Sequence, residues 1–203
     1  MKKSTMALVC AVGLLLALLF IHPGSSPARV DSSHFSVYQP TVYSMHLRVY
    51  SVVGKPTVSA ALINRVLATY HSPAAGLGQQ LYDLGMKYGI DPVYALAFFM
   101  HESLFGTTGE ARRTLSLGNE RCLPDRRCLD RQLGGYAQMN SWVDGFAHWY
   151  TLIRTLYIGK WHLVTVDQII PVYAPQADGN DVAGYIEAVK QAVDTWRSGR
   201  VTV

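Results

Sequence analysis

From Val93 to Ser103 the chain reads Val-Tyr-Ala-Leu-Ala-Phe-Phe-Met-His-Glu-Ser, which is apolar on nearly every face of a helix. A helix without a polar stripe cannot lie on a surface, so other elements must enclose it. Asp91-Pro92 marks its start, because aspartate is a good N-cap and proline suits the first helical position. The enclosing elements are legible as amphipathic helices. Thr57 or Ser59 caps one that runs to about Tyr70, with Ala61, Leu62, Val66 and Leu67 in register, and His71-Ser72-Pro73 ends it. A second lies near Gln79–Tyr88 and stops at Gly89; two more are expected over Asp144–Tyr157 and Asp181–Trp196. Gly106–Gly135 has no long periodicity and reads as loop with room for one hairpin. The sum is a mostly α (α+β) domain with one irregular lobe.

The N-terminus bears on the compartment. Lys2 and Lys3 precede an uncharged apolar run from Met6 to Ile21, and His22-Pro23-Gly24-Ser25-Ser26-Pro27-Ala28 follows. A positive start, an apolar stretch and a small, polar exit make an export signal. The run of 16 residues falls between a signal-peptide core and the ~20 that span a bilayer. Residues 1–28 are therefore expected to be a signal peptide or membrane anchor, with residues 4–21 as the tether in the second case. Cys10 inside the run is a hydrophobic filler. Residues 29–52 show alternation broken by Pro40 and are expected to form an extended arm, leaving residues 53–200 for the folded domain. The formal net charge of +4 drops to +2 without the two N-terminal lysines, too little for the basic face that nucleic acid demands.

Cys122 and Cys128 are an even pair around a Pro-Asp turn, which in an exported chain reads as a disulfide stapling a surface loop. Zinc is the rival reading, but two cysteines without a nearby histidine pair supply half a site. A catalytic thiol is the other.

Glu102 is the residue that points to chemistry. On its helix face stand Phe98, Phe99 and Phe105, and apolar neighbours raise a carboxyl's pKa by disfavouring its charged form. A carboxylic acid still protonated near neutral pH is what a general acid needs to protonate a glycosidic oxygen. The competing reading is a glutamate at a helix end that simply faces water. His101-Glu102-Ser103-Leu104-Phe105 begins like the zinc-protease H-E-x-x-H, but Phe105 stands where the second ligand must be. Ser103 lacks the glycine elbow of a serine hydrolase, and no glycine-rich phosphate loop follows a strand. His101 is expected to be packed or hydrogen-bonded locally.

Tyr88-Gly89-Ile90-Asp91-Pro92, followed by Leu96–Thr107, resembles the glucosaminidase domain of bacterial autolysins, glycoside hydrolase family 73. Gly109-Glu110-Ala111 and Ser116-Leu117-Gly118-Asn119 resemble that group's loop after the helix. Gly135-Tyr136-Ala137 with Asp144-Gly145 and His148 resembles its Phe/Tyr-x-x-Tyr region. Tyr173-Ala174-Pro175, Asp178–Asp181 and Tyr185–Val189 resemble its closing segment. The stretches span roughly residues 53–197 in the family's order.

The resemblance implies a lysozyme-like fold and hydrolysis of peptidoglycan glycan after N-acetylglucosamine, with no cofactor and no metal. It carries Glu102 over as general acid and Tyr136 as a tyrosine near the sugar's anomeric centre. A second carboxylate belongs to the 106–135 lobe, where Glu120 is the candidate, with Asp125 and Asp130 behind it. Without one, the enzyme would position water or use the substrate's own acetamido group. Sugar grooves also need flat apolar platforms and hydrogen-bonding groups. Trp142 and Tyr173 are the expected platforms, with Trp161 also available; Asn119, Gln138 and Asn140 are the polar partners, and Trp149 is expected in the core. Arg112, Arg113, Arg121, Arg126, Arg127 and Arg131 make the lobe cationic, which reads either as a solvated loop or as attraction to anionic wall polymers. Two other readings stay open: a muramidase or lytic transglycosylase on the same fold, and a non-catalytic wall-binding protein.

Overall fold

The structure, a computed structural model, describes residues 49–203. The export segment, its possible tether over residues 4–21 and most of the expected arm lie outside the described residues. Among the described residues no helix is long and apolar enough to cross a membrane.

The expected central helix is α3, Pro92–Ser103, and every residue from Pro92 to Phe99 is buried. Around it stand α1 (Ala60–Thr69), α2 (Gly78–Tyr88), α5 (Trp142–Leu152), α6 (Val166–Tyr173) and α7 (Val182–Arg197). Phe98 meets Trp149 of α5, Tyr173 of α6 and Tyr185 of α7 within one aromatic cluster, and Phe99 meets Phe146 and Trp149. Trp149 is thus core, as its helical register implies.

The irregular stretch folds as a lobe. It holds one short helix, α4 (Ala111–Thr114), and an antiparallel hairpin of β1 (Arg127–Leu129) and β2 (Tyr136–Gln138), in which Cys128 stands opposite Ala137. Cys122 and Cys128 are disulfide-bonded. Gly135 lies against the bridge with φ +65°, and a Cβ there would run into both sulfurs. Only glycine satisfies the turn and the close approach together.

Three features depart from the sequence expectations. First, α5 begins two residues early, because Ser141 rather than Asp144 is the cap and its Oγ accepts from the Asp144 N–H (3.1 Å). Second, α5 runs on into a π-helical segment, Ile153–Lys160, that no periodicity announced. Third, α6 was not anticipated. Its Thr165/Gln168 capping box is a legible start signal, but Pro171 inside the helix reads as a breaker. Just before the expected domain start at residue 53 the chain is already bonded to the domain: the Val52 N–H donates to Val164 O (2.8 Å), Tyr50 O accepts from the Val166 N–H (3.0 Å), and the Val52 side chain is core.

Asp91 fixes the start of α3. Its side chain caps the helix through the Val93 N–H and also accepts from the Thr57 N–H (3.1 Å) and the Thr57 hydroxyl (2.5 Å). Arg197 at the end of α7 closes the cluster at 3.1 Å from Asp91 Oδ2. Asp91→Ala removes the cap and the acceptor shared by Thr57 and Arg197, so a loss of about 1–3 kcal/mol is expected by urea unfolding. Loss of the disulfide acts elsewhere. A seven-residue ring constrains the unfolded chain weakly, so Cys122→Ser with Cys128→Ser should cost below ~3 kcal/mol and reduce ligand binding in the neighbouring cleft more than melting temperature. Paired calorimetry and binding isotherms check both statements.

Candidate active site

The helix that buries its whole length brings Glu102 out at its C-terminal end. There the backbone turns sharply: Leu104 (φ 45°) and Phe105 (φ 55°) both adopt left-handed conformations, which L-residues hold only under external constraint. Ser103 is that constraint. Its buried Oγ donates to Leu117 O (2.8 Å) and accepts from the Gly106 N–H (2.9 Å), tying the helix end to the lobe. Asn119, itself left-handed at φ 48°, donates its amide to Glu102 O (2.7 Å), one of the carbonyls the helix leaves open.

Glu102 lies in the wall of a cleft of about 540 Å³ between the lobe, α5 with its π-helical extension, and α6. Residues from each element converge there: Asn119, Glu120 and Arg121 from the lobe, Tyr136 from β2, His148 from α5, Tyr157 from the π-helix and Tyr173 from α6. Tyr185 of α7 donates its hydroxyl to Glu102 Oε1 at 2.6 Å. Burial pushes the Glu102 carboxyl above its usual range; the hydrogen bonds of Tyr185 and Asn119 and the charge of Arg121 oppose that only partly. His101 stacks on the Tyr185 ring (3.5 Å between centroids, 18° between planes), so its role is the local packing expected of it.

Glu120 is the second buried carboxyl of the cleft, which the exposed Asp178 also lines, and its side chain is only 3% exposed. Its backbone is gripped on both sides: its carbonyl accepts from the Ala137 N–H of β2 (2.9 Å), and its N–H donates to Ser116 Oγ (3.5 Å). Gly118 lets this strand of chain lie against the core, since a Cβ there would meet Trp149 Cδ1 at 2.8 Å and Tyr173 Oη at 3.3 Å. Glu120 Oε2 pairs with His148 Nδ1. Burial raises the Glu120 carboxyl, with His148 pulling it down, and the same contact raises the imidazole.

The other expected site residues divide. Tyr136 lines the cleft beneath the Arg121 guanidinium, 5.1 Å from its ring centre. Tyr173 borders it too, but its ring packs edge-on to Phe98 and its hydroxyl donates to Gly118 O (2.9 Å), so it supports the wall rather than offering a free face. Trp142 and Gln138 are not brought to the cleft. As first residue of α5, Trp142 turns toward Gly106 and the core, while Gln138 donates to Arg113 O (3.1 Å) on the outside of the hairpin. Trp161 packs edge-on to Tyr157 outside the cleft, and the Asn140 side chain is likewise absent from its lining. Asp125 pairs with Arg126 and Asp130 with Arg113, both away from the cleft, which leaves Glu120 as the lobe's carboxylate there. His148, Tyr157 and Tyr185 went unassigned in the sequence. Each belongs to a helical stripe that reads as packing, and only the tertiary fold turns it toward a carboxyl or the cleft.

The architecture is that of a lysozyme-like α+β domain with two buried carboxyls in one cleft. Two solved structures are similar in fold: S. aureus Autolysin E in complex with the muropeptide NAM-L-Ala-D-iGlu (TM-score 0.53), and a catalytic glutamate-to-alanine mutant of the same protein in complex with the disaccharide NAG-NAM (TM-score 0.54). In each case the identity is 14%, and the match covers 74% of this chain and 72% of the other. No protein-family model and no curated protein sequence matches the chain. The fold that the family resemblance implies is the fold the chain adopts.

Replacing Tyr185 by Phe deletes the one side-chain hydroxyl that holds down the Glu102 carboxyl. The expected result is protonation of Glu102 at higher pH than in the unaltered protein, read by infrared titration of the carboxyl stretch. An unchanged titration would mean that the hydroxyl does not stabilise the carboxylate.

Proposed function

We propose that the protein is an exported peptidoglycan hydrolase that cleaves the glycan strand after N-acetylglucosamine, as an endo-β-N-acetylglucosaminidase. The observation that carries this reading is a desolvated Glu102 in a cleft that holds a second buried carboxyl, within a fold shared with a muropeptide-binding autolysin. The export signal and the disulfide fit a chain that works outside the cytoplasm, where such bridges persist.

The chemistry follows from the two carboxyls. Protonated Glu102 donates to the glycosidic oxygen as the bond to the anomeric carbon breaks, and the leaving sugar departs as a neutral alcohol. Glu120 accepts the proton of the water that attacks the anomeric carbon. Arg121 over Tyr136 supplies a cation and a flat face at the cleft, suited to a polymer that carries carboxylates.

Glu102→Gln keeps the shape and removes the proton, so wall hydrolysis on cell-wall zymograms should fall by ~10²–10⁴ while the fold persists. Hydrolysis at the unaltered rate by folded mutant would remove Glu102 from the reaction. Mass spectrometry of the digest tests the bond: reducing-end N-acetylglucosamine supports the reading, and an anhydro-muramic end would make the protein a lytic transglycosylase. Activity should also decline as pH rises through the raised Glu102 pKa, since only the protonated acid is competent.

A further inference from the structure

Glu120 and His148 present an arrangement that the roles above do not use in full. One oxygen of Glu120, Oε2, is taken by His148 Nδ1. The other, Oε1, is buried and has no hydrogen-bond partner. A buried carboxylate oxygen without a donor costs free energy, and natural proteins rarely keep one unless strain, catalysis or a bound water or ion accounts for it. Both residues line the cleft, so what completes Oε1 arrives there. Having one oxygen fixed and the other without a partner suits a base that accepts a proton in a single direction.

We propose that His148 is the positioning residue of the reaction: it holds Glu120 by one oxygen, aims the other at the attacking water, and keeps the carboxyl in its basic form. This rests on the reading of the cleft as a glycosidase site. The argument is one of geometry and charge together. With its backbone carbonyl bonded to β2 and its N–H to Ser116, Glu120 retains only side-chain freedom, and the imidazole removes that. Without a cation the buried carboxyl would protonate, because desolvation works against its charge. The imidazole offsets that at its own contact. The charged groups around His148 are accounted for. Arg126 comes from the lobe and is drawn off by a two-point bond to Asp144, at 2.5 Å and 3.1 Å. Asp125 sits beside Arg126, Asp144 lies one turn earlier on α5, and Tyr173 faces Glu120 from α6 as a neutral phenol. With Arg126 occupied by Asp144, His148 is the group in direct contact with Glu120 that can become a cation.

The proton count is consistent. In the proposed reaction the working form of the pair carries its proton on His148 and leaves Glu120 a carboxylate. Acidification adds a second, and the proton then on Glu120 Oε1 blocks acceptance from water. The acid limb of kcat/KM therefore reports this uptake, and the alkaline limb reports Glu102.

The test uses the whole chain with His148→Asn, which keeps a neutral donor near the Nδ1 position, and His148→Phe, which keeps none. Both are compared with unaltered protein in kcat/KM against pH, with folding checked by circular dichroism. His148→Phe should move the acid limb to higher pH by about one unit, ~10-fold in kcat/KM on that side, and leave the alkaline limb in place. His148→Asn should move it by less. A nitrogen NMR titration provides a readout without activity: the His148 imidazole should titrate above the ordinary histidine range, and Glu120→Gln should lower it. If His148→Phe does not fold, His148→Asn and the NMR titration decide. An acid limb unmoved in folded variants, or a His148 titration unchanged by Glu120→Gln, overturns the proposal and leaves the glycosidase reading intact. Glu120→Gln with activity within about threefold of the unaltered protein overturns the role of Glu120 itself, and with it this inference, while Glu102 stands or falls by its own variant.

Discussion

Burial of α3 is the constraint on which the other parts depend. A helix apolar on all faces is stable only when enclosed, and each large aromatic it buries contributes roughly 1.5–3 kcal/mol relative to exposure. Enclosure brings α5, α6 and α7 against Phe98 and Phe99, and these three helices carry His148, Tyr173 and Tyr185. The register of α3 cannot slide, because Asp91 binds Thr57 and Arg197 at one end while Ser103 binds Leu117 and Gly106 at the other. Glu102 stands one residue before that second anchor. The packing that stabilises the domain therefore also desolvates the carboxyl, and stability and the raised carboxyl pKa share one cause.

What could be read in the sequence divides along the range of the forces. Caps, stop signals and helical stripes act over a few residues, so α1, α2, α3 and α7 were legible to within a residue or two at their ends. Glu102 was legible for the same reason, since its apolar neighbours are on its own helix face. Glu120 was legible as a candidate only through its place in the lobe. Its partner His148 is 28 residues away, and Tyr185 is 83 residues from Glu102, so neither pairing leaves a local trace. α6 escaped because a single Pro171 outweighs a capping box in any local reading. In the fold, packing of Val166, Ile169 and Ile170 against the core holds the helix despite the lost hydrogen bond. Trp142 illustrates the opposite failure. A tryptophan beside a turn reads as exposed, yet the Ser141 cap starts the helix before it and the indole turns inward.

The two buried carboxyls of the cleft begin from the same physics and meet different partners. Both are desolvated, and burial is the largest cause raising each. They differ in the group that answers the burial. Glu102 is met by Tyr185, a phenol that burial itself keeps well below ionisation at neutral pH, so its hydrogen bond is neutral and offsets desolvation only in part. Glu120 is met by an imidazole, which can take up a proton and answer charge with charge. Both carboxyls stay raised, but only the partner of Glu120 can itself take up a proton. In the proposed reaction, this difference in partners is what lets a single cleft hold an acid and a base at one pH. Here the division comes from which helix faces each carboxyl, α7 for Glu102 and α5 for Glu120, and both helices are where they are because α3 had to be covered.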